Sequence, residues 1–203
     1  MSTFGDYAGK ENHSSRGPSK IVCLHPKGNV HILSIVIVGV DSECKKLEQR
    51  MQQVNEVEHM NYKFTTTCLS SIDQLDHVAE GESGPMSIHA DYIVFLVDVT
   101  NPTCLDQIRE SIFYLDSIFL CGRIALINFN HKLPIVDWSI DSDAIPSLCQ
   151  EFNLNLINGD LTNEKTANHT AKRTLILVTL VCGLKTGFPC TVDFPYHVFD
   201  QPI

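Results

Sequence analysis

Residues 39–46 have the length of a phosphate-binding loop and match it at two fixed positions. Such a loop reads G-x-x-x-x-G-K-[ST]: its glycines let backbone N–H groups wrap the phosphates, its lysine reaches the terminal phosphates and its hydroxyl holds Mg²⁺. Gly39 and Lys45 are in register. Cys44 stands where the second glycine belongs, and its Cβ would crowd the backbone against a phosphate. Lys46 replaces the magnesium-binding hydroxyl, so the segment is predicted to be a vestigial loop.

The charges of this segment and the missing guanine-reading motif lead to the same prediction. Asp41 and Glu43 place two negative charges where a polyphosphate would lie, and they would repel it at close range. GTPases with this order of elements carry N-K-x-D after a later buried strand, whereas residues 128–131 read N-F-N-H. We therefore expect the protein to bind neither GTP nor ATP and to hold no cofactor or metal.

Other candidate catalytic groups are few. Asp98 follows an apolar run and could act as a Walker B acid, but an aspartate that starts a strand-to-helix turn is the interpretation we favour. Asp98 and His131 could also form an acid–base pair. No serine or cysteine lies in a G-x-S-x-G elbow, and the nine histidines show neither H-x₃-H nor H-E-x-x-H spacing. The sequence thus predicts a protein that is not an enzyme.

The elements that would position these residues alternate between strand and helix. Nearly continuous apolar runs at residues 32–39, 91–98 and 123–129 are typical of strands buried on both faces of a parallel sheet. Apolar residues recur at helical spacing after two of these runs, and Ser42 is predicted to cap the first helix. Together with further elements whose apolar pattern is less clear, the predicted order is β-α-β-β-α-β-α-β-α. It predicts a three-layer α/β fold with a mostly parallel sheet flanked by helices, as in small GTPases.

Composition sets the domain limits and excludes some classes of protein. The chain has 203 residues, with 24 acidic against 15 basic side chains, which argues against direct nucleic-acid binding. We expect a disordered arm at residues 1–29, an α/β domain at 30–185 and a tail at 186–203. Residues 70–89 are predicted to form a loop. The apolar stretch at 174–184 is too short to span a membrane and is predicted to be a core helix.

The cysteines and the first residues indicate the compartment. The eight cysteines form no C-x-x-C pair, and no basic, apolar leader opens the chain. We expect reduced thiols in the cytosol or the nucleus.

Three segments in order resemble the centromere protein M family. Residues 91–97 read DYIVFLV, residues 110–116 read ESIFYLD and residues 118–124 read IFLCGRI, similar to the family's DLIVFVV-type strand, ESL-x-x-VD-type helix end and FFLGKV-type strand entry. The resemblance covers roughly residues 31–195, is strongest over 91–126 and is faint at both ends. It implies a small-GTPase-like fold that cannot bind or hydrolyse GTP. It also implies a nuclear protein of the inner kinetochore that works with centromere proteins H, I and K.

Two apolar segments outside the predicted helices and strands form a candidate partner surface. Loops are normally polar, yet the first segment is Ile118, Phe119, Leu120 and Cys121, and the second contains Phe188, Val192 and Phe194. Both segments either fold back onto the core or form an interface, and contiguous exposed apolar patches usually mark interfaces. The family resemblance implies contacts to centromere protein I, a large helical-repeat partner.

Two other functions remain open from sequence. One is a working nucleotide-binding module with a divergent loop, which a nucleotide-dependent thermal shift would reveal. The other is a trafficking adaptor built on a degenerate GTPase fold, which would co-purify with vesicles instead of chromatin.

Overall fold

A computed structural model of the protein describes residues 21–23, 32–60, 62–72 and 88–183. The described strands are β1 (Ile21–Cys23), β2 (Leu33–Val38), β3 (Phe64–Leu69), β4 (Ile88–Ala90), β5 (Tyr92–Val97), β6 (Ile124–Asn128) and β7 (Asn155–Asn158). The described α-helices are α1 (Asp41–Val57), α2 (Cys104–Ile112), α3 (Ala144–Phe152) and α4 (Glu164–Val181). Short 3₁₀ helices lie at Ser117–Leu120 and Ile135–Asp137.

Five of these strands form one parallel sheet in the order β3-β2-β5-β6-β7. Every residue of β5 and β6 is buried, as their uninterrupted apolar runs predict for central strands covered on both faces. The register pairs Ile37 of β2 with Val94 of β5, and Phe95 of β5 with Leu126 of β6. All five strands therefore end at the same edge of the sheet.

Helices cover both faces of this sheet, because successive side chains of a strand point to opposite faces. Tyr92, Val94 and Leu96 of β5 share one buried cluster with α1 and α4. Ile93 and Phe95 share the other cluster with α2 and α3. These layers confirm the predicted three-layer α/β fold and are consistent with a small-GTPase-like layout.

A second, two-stranded sheet corrects the predicted limits of order. β1 pairs in parallel with β4, and the Asp116 N–H donates to the Ile21 carbonyl at 3.3 Å. The prediction that residues 1–29 are disordered is wrong for Ile21–Cys23, because Ile21 is fully buried in the core between these partners. The loop predicted at 70–89 is likewise wrong at β4. The rest of the arm, residues 73–87 and the predicted tail lie outside the described residues.

The helix predicted over the apolar stretch at 174–184 is α4, which ends at Val181. Its first turn is capped by Asn163, whose side-chain oxygen accepts from the Thr166 N–H at 3.0 Å. Leu175, Leu177 and Val178 are fully buried against the sheet. None of the helices in the described part of the chain has the length and apolarity that a membrane span requires.

Candidate functional site

Helix α1 begins at Asp41, at a position where a phosphate-binding loop would not yet be helical. Only Gly39 and Val40 separate β2 from the helix, and the N–H groups of Glu43 and Cys44 both donate to the Val40 carbonyl, at 3.0 and 2.9 Å. Six of the eight residues 39–46 therefore lie within the helix. The N–H groups of residues 43 and 44, which a loop would direct at phosphate, make helical hydrogen bonds instead.

The chemistry-bearing side chains of this segment are also engaged. Cys44 is fully buried in the core, and burial, with smaller contributions from Cys68, Asp41 and Glu43, raises the pKa of its thiol to about 12. The Lys45 ammonium contacts the Asp41 carboxylate at 2.7 Å, and Lys46 contacts Glu43 at 3.0 Å. The carboxylates of Asp41 and Glu43 interact favourably with the positive end of the helix dipole, where an anionic ligand would otherwise bind.

Helix α1 starts earlier than the cap predicted at Ser42. Val40 is the N-cap residue and makes no side-chain cap hydrogen bond. The charges of Asp41 and Glu43 in the first turn stabilise this end of the helix instead, by interaction with its dipole. The prediction that Ser42 caps the helix is therefore wrong.

Gly39 has a packing role that needs no phosphate. Its φ of +154° is one that residues with side chains rarely adopt, and a Cβ built on it would lie 2.8 Å from the Leu96 Cβ of β5. Such a distance is shorter than side-chain contacts allow. The glycine is thus required by the close approach of the β2–α1 connection to β5.

The polar side chains at the carboxyl edge of β5 hold neighbouring loops together. The Asp98 carboxylate accepts from the Thr100 N–H at 3.0 Å, from the Thr100 hydroxyl at 2.7 Å and from the Asn130 amide at 3.0 Å. Burial alone would raise the pKa of Asp98, but these hydrogen bonds hold it below its ordinary value. This confirms Asp98 as the start of a strand-to-helix turn. In the described residues no hydrogen bond joins it to His131.

An ion pair between the exposed Lys132 and the largely buried Asp160 joins the next two loops. Lys132 contacts the Asp160 carboxylate at 3.0 Å, while the Thr162 N–H donates to the other carboxylate oxygen at 2.8 Å. Burial opposes ionisation here, but the Thr162 hydrogen bonds and the Lys132 charge together lower the pKa of Asp160 to about 2. This pair joins the connection after β6 to the connection after β7.

Substitution Asp160→Asn is expected to destabilise the protein by about 2 kcal/mol at pH 7, because the folded-state pKa lies below the unfolded value of about 3.9. This stabilisation is fully present above about pH 4 and is lost as the pH falls towards 2. Urea unfolding of wild type and variant at pH 7 and pH 2.5 measures it, and the difference should shrink at the lower pH. The control Asp106→Asn removes a carboxylate that is 74% exposed, so its effect should stay within about 0.5 kcal/mol. An equal loss from Asp160→Asn at both pH values would show that the charge is not responsible.

The position of the guanine-reading motif is structural as well. Asn128 is buried, and its side-chain oxygen has no hydrogen-bond partner within the described residues. Asn130, two residues later, is committed to Asp98 and to the Val99 N–H at 3.4 Å. Across the described ranges, no group of three or more His, Cys, Asp or Glu side chains is arranged to hold a metal. The carboxyl edge joins loops through polar contacts that its own side chains make.

The predicted partner segment is only partly exposed. Phe119 is fully buried in the core, so the prediction that it contacts a partner is wrong: the 3₁₀ turn directs its ring inwards. Ile118 and Leu120 are half-buried at the edge of that core, and Cys121 is exposed. Phe188, Val192 and Phe194 lie outside the described residues, and their role stays a prediction.

Two exposed aromatic residues extend this segment and were missed in the sequence. Phe113 and Tyr114, directly after α2, are 56% and 43% exposed. The Phe113 ring packs edge-on against Phe152 of α3 at 6.1 Å, and the Asn153 amide lies 3.5 Å from the Leu120 carbonyl. The C-terminal end of α3 therefore connects the aromatic pair to Leu120. The available signal was that both aromatics fall outside the apolar stripe of α2. We call Phe113, Tyr114, Ile118, Leu120 and Cys121 the α2-end surface.

Comparison with known proteins identifies one family. A family model described as Centromere protein M (CENP-M) matches residues 34–191. A search of curated proteins found no match. The matched range includes the closed phosphate position, the polar carboxyl edge and the α2-end surface.

Proposed function

Because the chain belongs to the centromere protein M family, we propose that it is a non-catalytic, structural subunit of the inner kinetochore. Membership of this family supports a role among centromere and kinetochore proteins, with the chromosome in the nucleus as its proposed location. In this role it would bind other subunits of the constitutive centromere-associated network and so support kinetochore assembly and chromosome segregation in mitosis.

The observation that carries the non-catalytic part of the proposal is the start of α1 at Asp41. A helix in place of the loop, with both lysines paired to acids of the same helix, has no free cradle for a polyphosphate. The fold is then that of a GTPase-like scaffold, or pseudo-GTPase, in which the former nucleotide edge has become part of the framework. This geometry does not favour a divergent nucleotide-binding module. The hydrogen bonds of Asp98 with Thr100 and Asn130 favour a structural role for that carboxylate.

The α2-end surface is the proposed contact for centromere protein I, with centromere proteins H and K in the same assembly. Large aromatic side chains are enriched at the centres of protein interfaces. Phe113 and Tyr114 lie here beside the half-buried Ile118 and Leu120. The C-terminal end of α3 contacts Phe113 and Leu120 through Phe152 and Asn153. Burying these side chains would contribute roughly 1.5–3 kcal/mol each. The residues Phe188, Val192 and Phe194 are proposed to add to the same contact.

Leu120→Glu and Phe113→Glu are expected to weaken assembly with centromere proteins H, I and K by at least about 100-fold, or about 2.7 kcal/mol. Each places a carboxylate in an interface that must be desolvated. Size-exclusion chromatography and calorimetry with the reconstituted partners measure the loss, and Phe194→Glu should act in the same direction. Val57→Glu, at a side chain that is 69% exposed at the end of α1, is the matched control.

The thermal midpoint separates loss of binding from loss of folding. Phe113 is more than half exposed, so Phe113→Glu should leave the midpoint nearly unchanged even if Leu120→Glu lowers it. Wild-type assembly by both variants would place the interface elsewhere. Co-purification of the tagged chain with vesicles instead of chromatin would contradict the kinetochore role itself.

A further inference from the structure

The connection between β6 and α3 presents apolar side chains to solvent. Leu133, Ile135 and Val136 are 37%, 68% and 90% exposed, and Pro134 between them is exposed too. We call residues 133–136 the apolar tip. Single exposed apolar residues are ordinary, but four in succession with two aliphatic side chains mostly in water are typical of an interaction site.

The apolar tip is held in one shape by its own hydrogen bonds. The Leu133 N–H donates to the Asn130 carbonyl at 3.0 Å, and the Trp138 indole N–H returns to the Leu133 carbonyl at 3.0 Å. The 3₁₀ turn at Ile135–Asp137 closes with the Asp137 N–H on the Pro134 carbonyl at 2.9 Å.

Both ends of the connection are also fastened to the sheet edge. Lys132 is paired with Asp160 at 3.0 Å, and the Ser139 N–H donates to the Val99 carbonyl at 2.8 Å. A surface that is already ordered loses less conformational entropy on binding. These hydrogen bonds and the ion pair therefore favour a partner that binds Ile135 and Val136 without rearranging the loop.

Acidic side chains outnumber basic ones in the connection that carries the apolar tip. Asp137, Asp141 and Asp143 are exposed, and none of them has an ion-pair partner among the described residues. Lys132 of the same connection is 58% exposed and is paired with the Asp160 carboxylate at 3.0 Å. Electrostatic complementarity therefore selects a partner with basic residues around an apolar pocket.

The apolar tip lies at the opposite end of the sheet from Leu120. Leu120 precedes β6 and the apolar tip follows it, so the length of a five-residue strand, about 17 Å, separates the two edges. One partner at the α2-end surface would leave the apolar tip accessible to another.

We propose that the apolar tip docks into an apolar pocket of a second protein partner, one that is rimmed by Lys or Arg, while the α2-end surface is occupied. The chain then acts as a two-ended bridge. This proposal does not depend on the identity of the partner at the α2-end surface.

A phage-displayed library of random 16-residue peptides, selected on the full chain and counter-selected on the double variant Ile135→Ser/Val136→Ser, tests the proposal. The enriched peptides should combine apolar residues with at least two Lys or Arg. A synthetic representative should bind the full chain at least tenfold more tightly than the double variant and lose affinity between 50 and 500 mM salt. Val57→Ser should bind the peptide as wild type does.

The outcomes that overturn the proposal are distinct from those that overturn the kinetochore role. No discriminating peptide, or discriminating peptides that are acidic, would exclude the stated chemistry. Self-association, or binding to phosphatidylcholine–phosphatidylserine vesicles, that is lost in the double variant would assign the apolar tip to a second copy or to a membrane. Leu120→Glu should still bind the peptide, and the double variant should still assemble with centromere proteins H, I and K.

Discussion

Replacing Leu177 by aspartate is expected to destabilise the fold by about 4 kcal/mol or more, a large part of the roughly 5–15 kcal/mol that stabilises a typical domain. Leu177 is fully buried in α4, in the cluster that covers one face of the sheet. An aspartate there would lose its hydration and gain no partner, because apolar side chains of the sheet and of α1 surround it. Val181→Asp, one turn later, should behave alike.

Circular dichroism during urea unfolding measures this effect, and His169→Asp is the matched control. His169 lies on the same helix with its side chain exposed, so aspartate there should cost less than about 1 kcal/mol. If Leu177→Asp stayed fully folded and only lost an association with membranes, α4 would be an anchor and not a core helix.

Gly39→Ala is expected to destabilise the protein by about 2–4 kcal/mol. The added Cβ would meet the Leu96 Cβ at 2.8 Å, so β2 or β5 must shift, which costs about 1–3 kcal/mol in a packed core. The φ of +154° adds backbone strain of about 1 kcal/mol. Chemical denaturation without any ligand measures the loss.

Gly122→Ala separates crowding from strain. Gly122 also has a positive φ, +81°, but the nearest atom to an added Cβ is 4.0 Å away, so only about 1 kcal/mol is expected. Equal effects of the two substitutions would mean that crowding against β5 does not explain the glycine at position 39.

The central sheet was predictable because its strands are buried on both faces and therefore read as continuous apolar runs. β5 and β6 lie where the sequence predicts strands. β1 could not be predicted, since three residues carry no period and its pairing with β4 joins positions far apart in the chain. The early start of α1 depends on backbone hydrogen bonds to the Val40 carbonyl, which a pattern of side chains does not predict.

The candidate site was predictable in its chemistry but not in its geometry. The substitutions at Cys44 and Lys46 indicate a lost phosphate loop, but only the structure reveals that a helix replaces it. An apolar run such as residues 118–121 does not say which side chain points inwards. Phe119 is the one that is fully buried, in the core cluster that also contains residues of α2 and α3, while Phe113 is left exposed.

Calorimetric titration of the full chain with Mg·GTP, repeated with Mg·ATP, tests most directly the claim that this GTPase-like fold works without a nucleotide. Helix α1 begins at Asp41, and Lys45 and Lys46 are paired with acids of the same helix. We therefore expect no saturable heat up to about 1 mM nucleotide, which means a binding free energy weaker than about 4 kcal/mol. A dissociation constant of about 1 μM or tighter for either nucleotide, worth about 8 kcal/mol, would contradict it.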